Sequence, residues 1–352
     1  MIPMYSNHSF FNSASRSKYA GYLLFLLINC SIIWGMTNAT AQSIPSAHFD
    51  LQGHRGARGL LPENTLPAFE KAIELGVSTV ELDVGVSKDG SIVITHDRAL
   101  NPEITRDASG AYLSAPLLVN RLTMAELKTY DVGRINPESA YAKRFPDQQA
   151  IDGSQMPALS TLFKRVEALG AKKLRFNIET KISPEKMNDT ISAAKFARKL
   201  LDLVREHGVT SRVTIQSFDW RTLQEIQELQ KGHTKKVLTS CLTAQQAWTN
   251  NITPKTDNPR GPFWTGSIRA ADHADVPSMV KAAGCDVWSP YFADITQDLV
   301  KKSHALGLQV IPWTTNTEAE MTAVIEAGAD GLITDYPDRA LPLLKRLGKT
   351  IR

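Results

Sequence analysis

The strongest constraint on the fold is an alternation of short apolar runs with longer helix-like stretches between residues 49 and 347. Several helix-like stretches are followed within two residues by glycine, which suits a helix C-cap. Eight βα units in a row, with strands apolar on both faces, predict a TIM (β/α)8 barrel. An open, doubly wound sheet is the alternative, but no G-x-G-x-x-G loop follows the first strand to favour it. The predicted strands are 49–53, 79–86, 174–181, 213–218, 236–242, 286–289, 309–314 and 331–334.

Two stretches interrupt this alternation. Residues 91–95 form a short apolar run behind Asp89-Gly90, a pair that favours a hairpin turn after the second strand. Residues 98–156 have little regular pattern and predict a subdomain inserted after the second strand region. A smaller irregular insertion covers residues 249–275. Loops of this length inside a compact domain are usually functional, and on a barrel they would overhang the strand ends.

The first 41 residues are typical of a secretory signal peptide. A basic region precedes the apolar stretch 20–35, and the small residues Ala39-Thr40-Ala41 follow it. We therefore expect cleavage after Ala41, a single domain over 42–352, and an exported, periplasmic or secreted protein. The alternative is an uncleaved anchor, although the apolar stretch is shorter than the roughly 20 residues of a membrane span.

Charge and cysteine content narrow the choice of partners. The formal net charge of +4 includes Arg16 and Lys18 of the leader, so the remainder is near +2. That value argues against nucleic acid and against stable membrane insertion after cleavage, and leaves a small molecule as the expected partner. Only Cys241 and Cys285 remain after cleavage. We expect no bond between them, because they are predicted at opposite ends of adjacent parallel strands. The sequence gives no signal for oligomeric state.

Carboxylates alternate along two of the predicted strands. Glu81 and Asp83 share one face of strand 79–86, since side chains two apart on a strand point the same way. Asn177, Glu179 and Lys181 repeat this spacing on strand 174–181. Buried carboxylates repel one another, and one divalent cation would neutralise them. Oxygen ligands without Cys or His favour Ca²⁺ or Mg²⁺. Ion pairing with Arg or Lys, including Glu179 with Lys181, is the structural alternative.

Two histidines lie at predicted strand ends. His54 directly follows the first strand, and His96 ends the hairpin run. Residues at the carboxyl ends of barrel strands are where this fold places catalytic groups. Cleavage of a phosphodiester needs one group to take a proton from the attacking hydroxyl and another to protonate the departing oxygen. A pair of histidines meets both needs at neutral pH.

These residues also carry a family resemblance across the mature chain. It resembles the glycerophosphodiester phosphodiesterase family in segments that keep the family's order and spacing. The segments are His54-Arg55-Gly56, Pro62-Glu63-Asn64-Thr65, Glu81-Leu82-Asp83-Val84, Lys88-Asp89-Gly90, His96-Asp97, Asn177-Ile178-Glu179-Thr180-Lys181, Gln216-Ser217-Phe218, Trp313-Thr314-Thr315-Asn316 and the run 330–337.

The resemblance implies a TIM barrel that hydrolyses glycerophosphodiesters to glycerol 3-phosphate and an alcohol with one divalent cation. It implies Glu81, Asp83 and Glu179 as metal ligands, His54 and His96 as the acid–base pair, and Arg55 and Lys181 as phosphate contacts. Trp313 either lines the alcohol pocket or fills the barrel mouth. Two alternatives remain open: a related phospholipase that acts on intact lipids, and a catalytically silent barrel that binds phosphodiesters.

Overall fold

The computed structural model describes residues 48–253 and 264–351, which belong to one compact unit. The predicted signal peptide lies outside the described residues, as do residues 254–263 of the second predicted insertion. The strands of the described part are His48–Gly53 (β1), Thr79–Val86 (β2), Ile92–Ile94 (β3), Ala99–Leu100 (β4), Leu117–Leu118 (β5), Arg175–Thr180 (β6), Val213–Ser217 (β7), Leu238–Thr243 (β8), Gln245–Gln246 (β9), Thr249–Asn250 (β10), Val287–Pro290 (β11), Gln309–Val310 (β12), Gly331–Thr334 (β13) and Thr350–Ile351 (β14).

Eight of these strands form a nearly closed parallel ring. Its order is β1, β2, β6, β7, β8, β11, β12 and β13, with β13 hydrogen-bonded back to β1. Backbone bonds from Asp330 N to Val310 O and from Ile333 N to Pro312 O, both 2.9 Å, join the last two. The predicted TIM barrel is confirmed. The predicted hairpin is also present, since β3 pairs antiparallel with β2 across a turn in which Gly90 has φ 84°.

Helices follow the barrel strands and cover the outside of the ring. In the first, α1, the Thr65 hydroxyl accepts a bond from Ala68 N and Pro67 lies in the first turn, where its missing N–H costs nothing. The helices of the described residues are Leu66–Leu75 (α1), Met124–Leu127 (α2), Ala140–Arg144 (α3), Leu159–Ala168 (α4), Ala193–Glu206 (α5), Trp220–Leu229 (α6), Val276–Ala282 (α7), Gln297–Ala305 (α8), Glu318–Glu326 (α9) and Pro337–Arg346 (α10).

The two faces of the strands meet different environments. Outward-facing side chains such as Leu82 and Ile178 pack with the helices in the main apolar core. Inside the barrel, by contrast, a buried polar layer joins three strands. Asn177 Nδ2 donates to Gln52 Oε1 at 2.8 Å and to Gln216 Oε1 at 2.9 Å. The strand register places Asn177 opposite Glu81 and Gln216 opposite Glu179, so this polar layer borders the inward-facing carboxylates.

Residues 98–157 stand between β3 and α4 as an elaboration on the barrel. They contain the antiparallel pair β4–β5 and the helices α2 and α3. A small apolar cluster that includes Leu100, Val119 and Leu127 forms their own core. A second cluster joins Tyr141 and Phe145 to Tyr336 beside the barrel mouth. The elaboration therefore has apolar anchors and reaches the strand ends.

The prediction that Cys241 and Cys285 are unbonded is wrong. A disulfide joins them, with Cα atoms 6.0 Å apart. Cys241 lies within β8, opposite Trp288 of β11, and packs in the core between barrel and helices. The chain leaving α7 turns at Gly284, with φ 74°, and crosses this outer face before β11 begins. Cys285 thus approaches Cys241 laterally, over the outer face of β8. The separation predicted from the sequence was a distance along the strand axes.

In the described part of the chain, no helix combines the length and the apolar character needed to cross a bilayer.

Candidate active site

Three buried carboxylates converge inside the barrel mouth. Strand alternation turns Glu81 and Asp83 inward while Leu82 packs outward, and the β2–β6 register sets Asp83 directly beside Glu179. One carboxylate oxygen from each of the three lies within 4.8 Å of the others. The structure therefore brings the three predicted metal ligands together.

Hydrogen bonds satisfy these carboxylates only in part. Glu81 accepts from Gln216 Nε2 at 2.7 Å and from Arg55 N at 2.9 Å. Asp83 Oδ2 accepts from Asn64 Nδ2 at 2.9 Å. Asp83 Oδ1 is buried and has no hydrogen-bond partner, although Lys181 Nζ lies 3.5 Å away. An orphaned, buried carboxylate oxygen is costly, and it is the atom that a bound cation would satisfy.

The pKa values of the cluster describe the same imbalance. Burial, followed by the charge of Asp83, raises the pKa of Glu81 well above its ordinary value. Burial raises the pKa of Glu179 to about 7, although the Lys181 ammonium opposes it. Burial opposes ionisation of Asp83 too, but His96, Lys181 and Arg55 hold its pKa far below the usual range. Two of the three carboxyls thus resist ionisation without a cation, and the oxygen-only set fits one divalent cation such as Ca²⁺ or Mg²⁺.

Lys181 takes part in the ion pair that was the structural alternative. Its Nζ lies 2.8 Å from Glu179 Oε1. Asp83 also has cationic neighbours, since Lys181 Nζ lies 3.5 Å from its Oδ1 and Arg55 Nε lies 3.4 Å from its Oδ2. These ion pairs leave Asp83 Oδ1 without a hydrogen bond and Glu81 with neutral donors alone. The ammonium also lines the cavity at the barrel mouth, so it faces any substrate there.

Arg55 occupies a left-handed backbone conformation just after β1, with φ 49°. This conformation is unusual for a residue with a side chain, and such residues concentrate at functional sites. It directs the Arg55 N–H at Glu81 and lets the guanidinium reach Glu63 Oε1 at 2.7 Å. Tyr141 of α3 donates its hydroxyl to the other oxygen of Glu63. Glu63 therefore braces the Arg55 side chain, and the elaboration contributes to that brace.

His54 is held between the carboxyl end of β13 and the carboxylate cluster of Glu81, Asp83 and Glu179. Its Nδ1 lies 2.7 Å from Asp335 Oδ1, and its Nε2 lies 3.9 Å from Glu81 Oε2. Burial, followed by the charge of Arg58, lowers the pKa of His54 to about 4. The imidazole is consequently neutral at physiological pH. If Nδ1 donates its proton to Asp335, Nε2 remains a free acceptor facing the cavity.

His96 follows β3, and its charge is one of those that lower the pKa of Asp83. Its Nδ1 lies 2.9 Å from Asp97 Oδ1, and both residues line the cavity. Burial lowers the pKa of His96, and the charges of Arg55 and Lys181 lower it further. The two histidines therefore share one arrangement, in which a carboxylate holds Nδ1.

Several residues at the site were given no role by the sequence. Asp335 accepts from Arg58 Nε at 2.7 Å and from Asn316 Nδ2 at 2.7 Å, besides holding His54. Asp335, Asn316, Asn64 and Gln216 all lie within segments that resemble the family, which is the signal that pointed to them. Arg58 and Tyr141 carried no such signal.

Seven of the eight predicted site residues line a single cavity of about 890 Å³. The eighth, Asp83, lies beneath it and contacts Arg55 and Lys181. Trp313 both lines the cavity and packs against the small apolar cluster at the barrel mouth, and its Nε1 donates to Ser289 O at 3.0 Å.

Comparisons with known proteins point in one direction. The sequence model of the Glycerophosphoryl diester phosphodiesterase family matches residues 54–339. A glycerophosphodiester phosphodiesterase of Caldanaerobacter subterraneus subsp. tengcongensis is 26% identical over 295 residues, which cover 84% of this chain and 97% of the relative. One from Bacillus subtilis is 28% identical over 288 residues, covering 81% and 83%. A crystal structure from Silicibacter pomeroyi, named after the same family, is 33% identical with a TM-score of 0.75, covering 86% and 95%.

Proposed function

Because the chain belongs to the glycerophosphodiester phosphodiesterase family, we propose that it hydrolyses glycerophosphodiesters to glycerol 3-phosphate and an alcohol, with one divalent cation and two histidines. The predicted enzyme class, a glycerophosphodiester phosphodiesterase, is confirmed by the family match and the curated relatives. The metal, the histidines and the individual site residues are our proposal.

The observation that carries this mechanism is one cavity lined by Glu81, Glu179, two cationic side chains and two carboxylate-held histidines, with Asp83 directly beneath it. Glu81, Asp83 and Glu179 would hold the cation, and the orphaned Asp83 Oδ1 supports that assignment. A bound divalent cation supplies neutralisation of the phosphodiester charge. Ca²⁺ and Mg²⁺ are the candidates because every ligand atom is a carboxylate oxygen.

Arg55 and Lys181 bind the phosphate from either side of the carboxylates. Arg55 lines the cavity, and Glu63 and Asp83 hold its guanidinium in place at 2.7 Å and 3.4 Å. Lys181 donates one hydrogen bond to Glu179, and an ammonium group has three N–H donors. Charge-assisted donors fixed in a buried site stabilise the extra charge that develops on the phosphate during attack.

His54 and His96 move the protons. One removes a proton from the attacking hydroxyl, which belongs to water or to the substrate's own glycerol, while the other protonates the departing oxygen. Asp335 and Asp97 fix the two rings through Nδ1, which leaves each Nε2 for the substrate. This arrangement favours an enzyme over a silent binding barrel, since binding alone needs no proton carriers.

We also propose that the protein is exported to the periplasm or secreted. The leader-like residues 1–41 support this proposal, and the Cys241–Cys285 disulfide suits an oxidising compartment. N-terminal sequencing of protein recovered outside the cytoplasm should begin at Gln42. Recovery of the chain with its first residues intact would contradict cleavage.

The function is tested with the full chain and a panel of glycerophosphodiesters, with intact phospholipids assayed in parallel. Glycerol 3-phosphate is measured by a coupled dehydrogenase, with and without chelator. We expect release from the water-soluble diesters, loss of release in chelator, and recovery with Ca²⁺ or Mg²⁺. Cleavage of intact lipid in preference to the soluble diesters would identify a phospholipase instead.

A further inference from the structure

The strand ends of the barrel divide into a charged half and an aromatic half. His54, Asp83, Glu179 and Asp335 belong to β1, β2, β6 and β13 or follow them directly, and these four strands are neighbours in the ring. The other four strands lead into aromatic side chains that line the same cavity. They are Phe218 after β7, Trp248 after β8, Tyr291 after β11 and Trp313 after β12.

Three of these rings form a corner of nearly perpendicular faces. The centroids of Trp248 and Tyr291 are 5.3 Å apart with an interplanar angle of 82°. Tyr291 and Trp313 are 5.5 Å apart at 66°, and Trp248 and Trp313 are 6.4 Å apart at 86°. Phe218 extends the group, with its centroid 5.3 Å from that of Trp313. The four side chains form one aromatic wall of the cavity, against which a rounded, weakly hydrated group can pack.

An acidic side chain lies beside the aromatic rings. Glu320 lines the cavity here, and its carboxylate accepts from the backbone of Asn316 at 2.7 Å and of Thr317 at 3.0 Å. Burial raises the pKa of Tyr291, and the charges of Glu320 and Asp294 raise it further. Among the residues that the structure describes, the arginines and the lysine that line this cavity come from the other half of the barrel or from the elaboration, and they are Arg55, Arg58, Arg144 and Lys181. Lys181 and Arg98 also line an adjoining cavity with Phe218 and Trp248.

We propose that the aromatic half binds the alcohol portion of the substrate and selects an alkylated ammonium group on it, as in a choline ester. This inference rests on the proposed function and names its substrate class. Ring faces attract a cation that carries methyl groups, because such a cation is weakly hydrated and meets the negative face of each ring. The hydroxyls of glycerol need hydrogen-bond partners, which the charged half supplies in greater number.

The chemistry balances without any further reactant. The attacking hydroxyl forms a new bond to phosphorus, the bond from phosphorus to the alcohol oxygen breaks, and that oxygen takes a proton. After addition of one water in total, the products are glycerol 3-phosphate and an amino alcohol whose nitrogen is unchanged. The ammonium group acts through binding alone, so we expect its effect mainly on KM.

The test compares two substrates that differ in one atom. Full-length enzyme with its divalent cation is given glycerophosphocholine and the glycerophosphodiester of 3,3-dimethylbutanol, in which carbon replaces the nitrogen. We expect kcat/KM to be about tenfold higher for the cationic substrate, with most of the difference in KM. Equal kcat/KM values for the two would overturn the inference while leaving the phosphodiesterase intact. Hydrolysis of no glycerophosphodiester at all would overturn the proposed function itself, and the inference with it.

Variants of Trp248 assign the effect to the rings. This side chain is 64% exposed, so its replacement removes little core. Trp248→Leu should reduce the tenfold preference for the cationic substrate to about twofold, and Trp248→Phe, which keeps a ring face, should retain most of it. A preference that survives Trp248→Leu and Tyr291→Leu together, in protein with a wild-type unfolding midpoint, would contradict the assignment.

Discussion

At the scale of single residues, the site is a group of buried carboxylates whose hydrogen bonds and ion pairs neutralise them only in part. Asp83 Oδ1 has no hydrogen bond, and Glu179 keeps a raised pKa beside a lysine. Two histidines stand around this group, each held by an aspartate. Removing one of these side chains should therefore lower turnover far more than it lowers the stability of the fold.

Replacing either histidine should lower turnover and leave the fold intact. We expect His54→Ala and His96→Ala each to lower kcat by about 10²- to 10⁴-fold, the range for general acid–base groups. The measurement is steady-state kinetics with saturating metal, alongside the unfolding midpoint. His233→Ala is the matched control, because His233 is exposed on the turn after α6. A wild-type kcat in a well-folded His54 or His96 variant would remove that residue from the mechanism.

Glu179 should make the metal-free protein less stable as pH rises. Its pKa is raised to about 7 in the folded protein, above that of the unfolded chain. The stability that its bound proton contributes is therefore complete below the unfolded pKa and is lost as pH rises through 7. Glu179→Gln resembles the protonated form and has no such loss.

In excess chelator, we expect the wild type to lose on the order of 3 kcal/mol relative to Glu179→Gln between pH 4.5 and pH 8. Urea unfolding at a series of pH values measures this difference. Parallel profiles for the two proteins would show that Glu179 titrates normally. The same variant should bind the divalent cation more weakly, so the substitution stabilises the empty site while impairing the loaded one.

At the scale of elements, the disulfide fastens the α7–β11 connection to the outer face of β8. It closes a loop with a sequence separation of 44 residues. Closing a loop of that length contributes about 4 kcal/mol in the chain-entropy account. The bond lies among core residues, outside the cavity-lining set, so its loss should lower stability without a direct effect on the chemistry.

We therefore expect dithiothreitol to lower the urea midpoint of the wild type and to leave that of a Cys241→Ala/Cys285→Ala double variant unchanged. Labelling of denatured, unreduced protein with iodoacetamide should modify neither of these two cysteines, as read from their peptides by mass spectrometry. Full labelling of both peptides in protein purified from an oxidising compartment would contradict the bond.

At the scale of the whole molecule, the carboxylate cluster joins two strands that residues 87–174 separate in sequence. β2 carries two of the proposed ligands and β6 the third, and the two strands are neighbours in the barrel. A cation bound across this pair stabilises the native barrel over the unfolded chain, in which the ligands are far apart. The folding stability of the molecule should consequently depend on metal.

Calcium or magnesium at about 100 times its Kd should stabilise the wild type by about 2.7 kcal/mol. Differential scanning calorimetry of chelator-treated protein, with and without added metal, measures the shift. Asp83→Asn should abolish most of it, because the orphaned oxygen becomes an amide group and the site loses a charge. An equal shift in Asp83→Asn and wild type would mean that the metal binds elsewhere.

Much of this molecule follows from local sequence pattern. The period of two along 79–86 decides that Glu81 and Asp83 face one way and Leu82 the other, and the same holds for Asn177 and Glu179. The repeated βα alternation decides the barrel, and the family-like segments decide the enzyme class. The strand faces depend on residues close together in the chain, where backbone geometry alone fixes the relation between side chains, while the fold and the enzyme class depend on short patterns repeated or ordered along the chain.

Tertiary structure decided which distant residues meet. Asp335 reaches His54 across 281 positions because β13 closes the ring onto β1. The aromatic half forms because the four strands that precede Phe218, Trp248, Tyr291 and Trp313 are neighbours in the barrel. Cys285 reaches Cys241 because a loop crosses the outer face of the barrel, which the strand pattern does not encode. Strand register and closure of the barrel depend on backbone hydrogen bonds, which every residue can make. The pattern of side chains along the sequence therefore does not determine these long-range contacts.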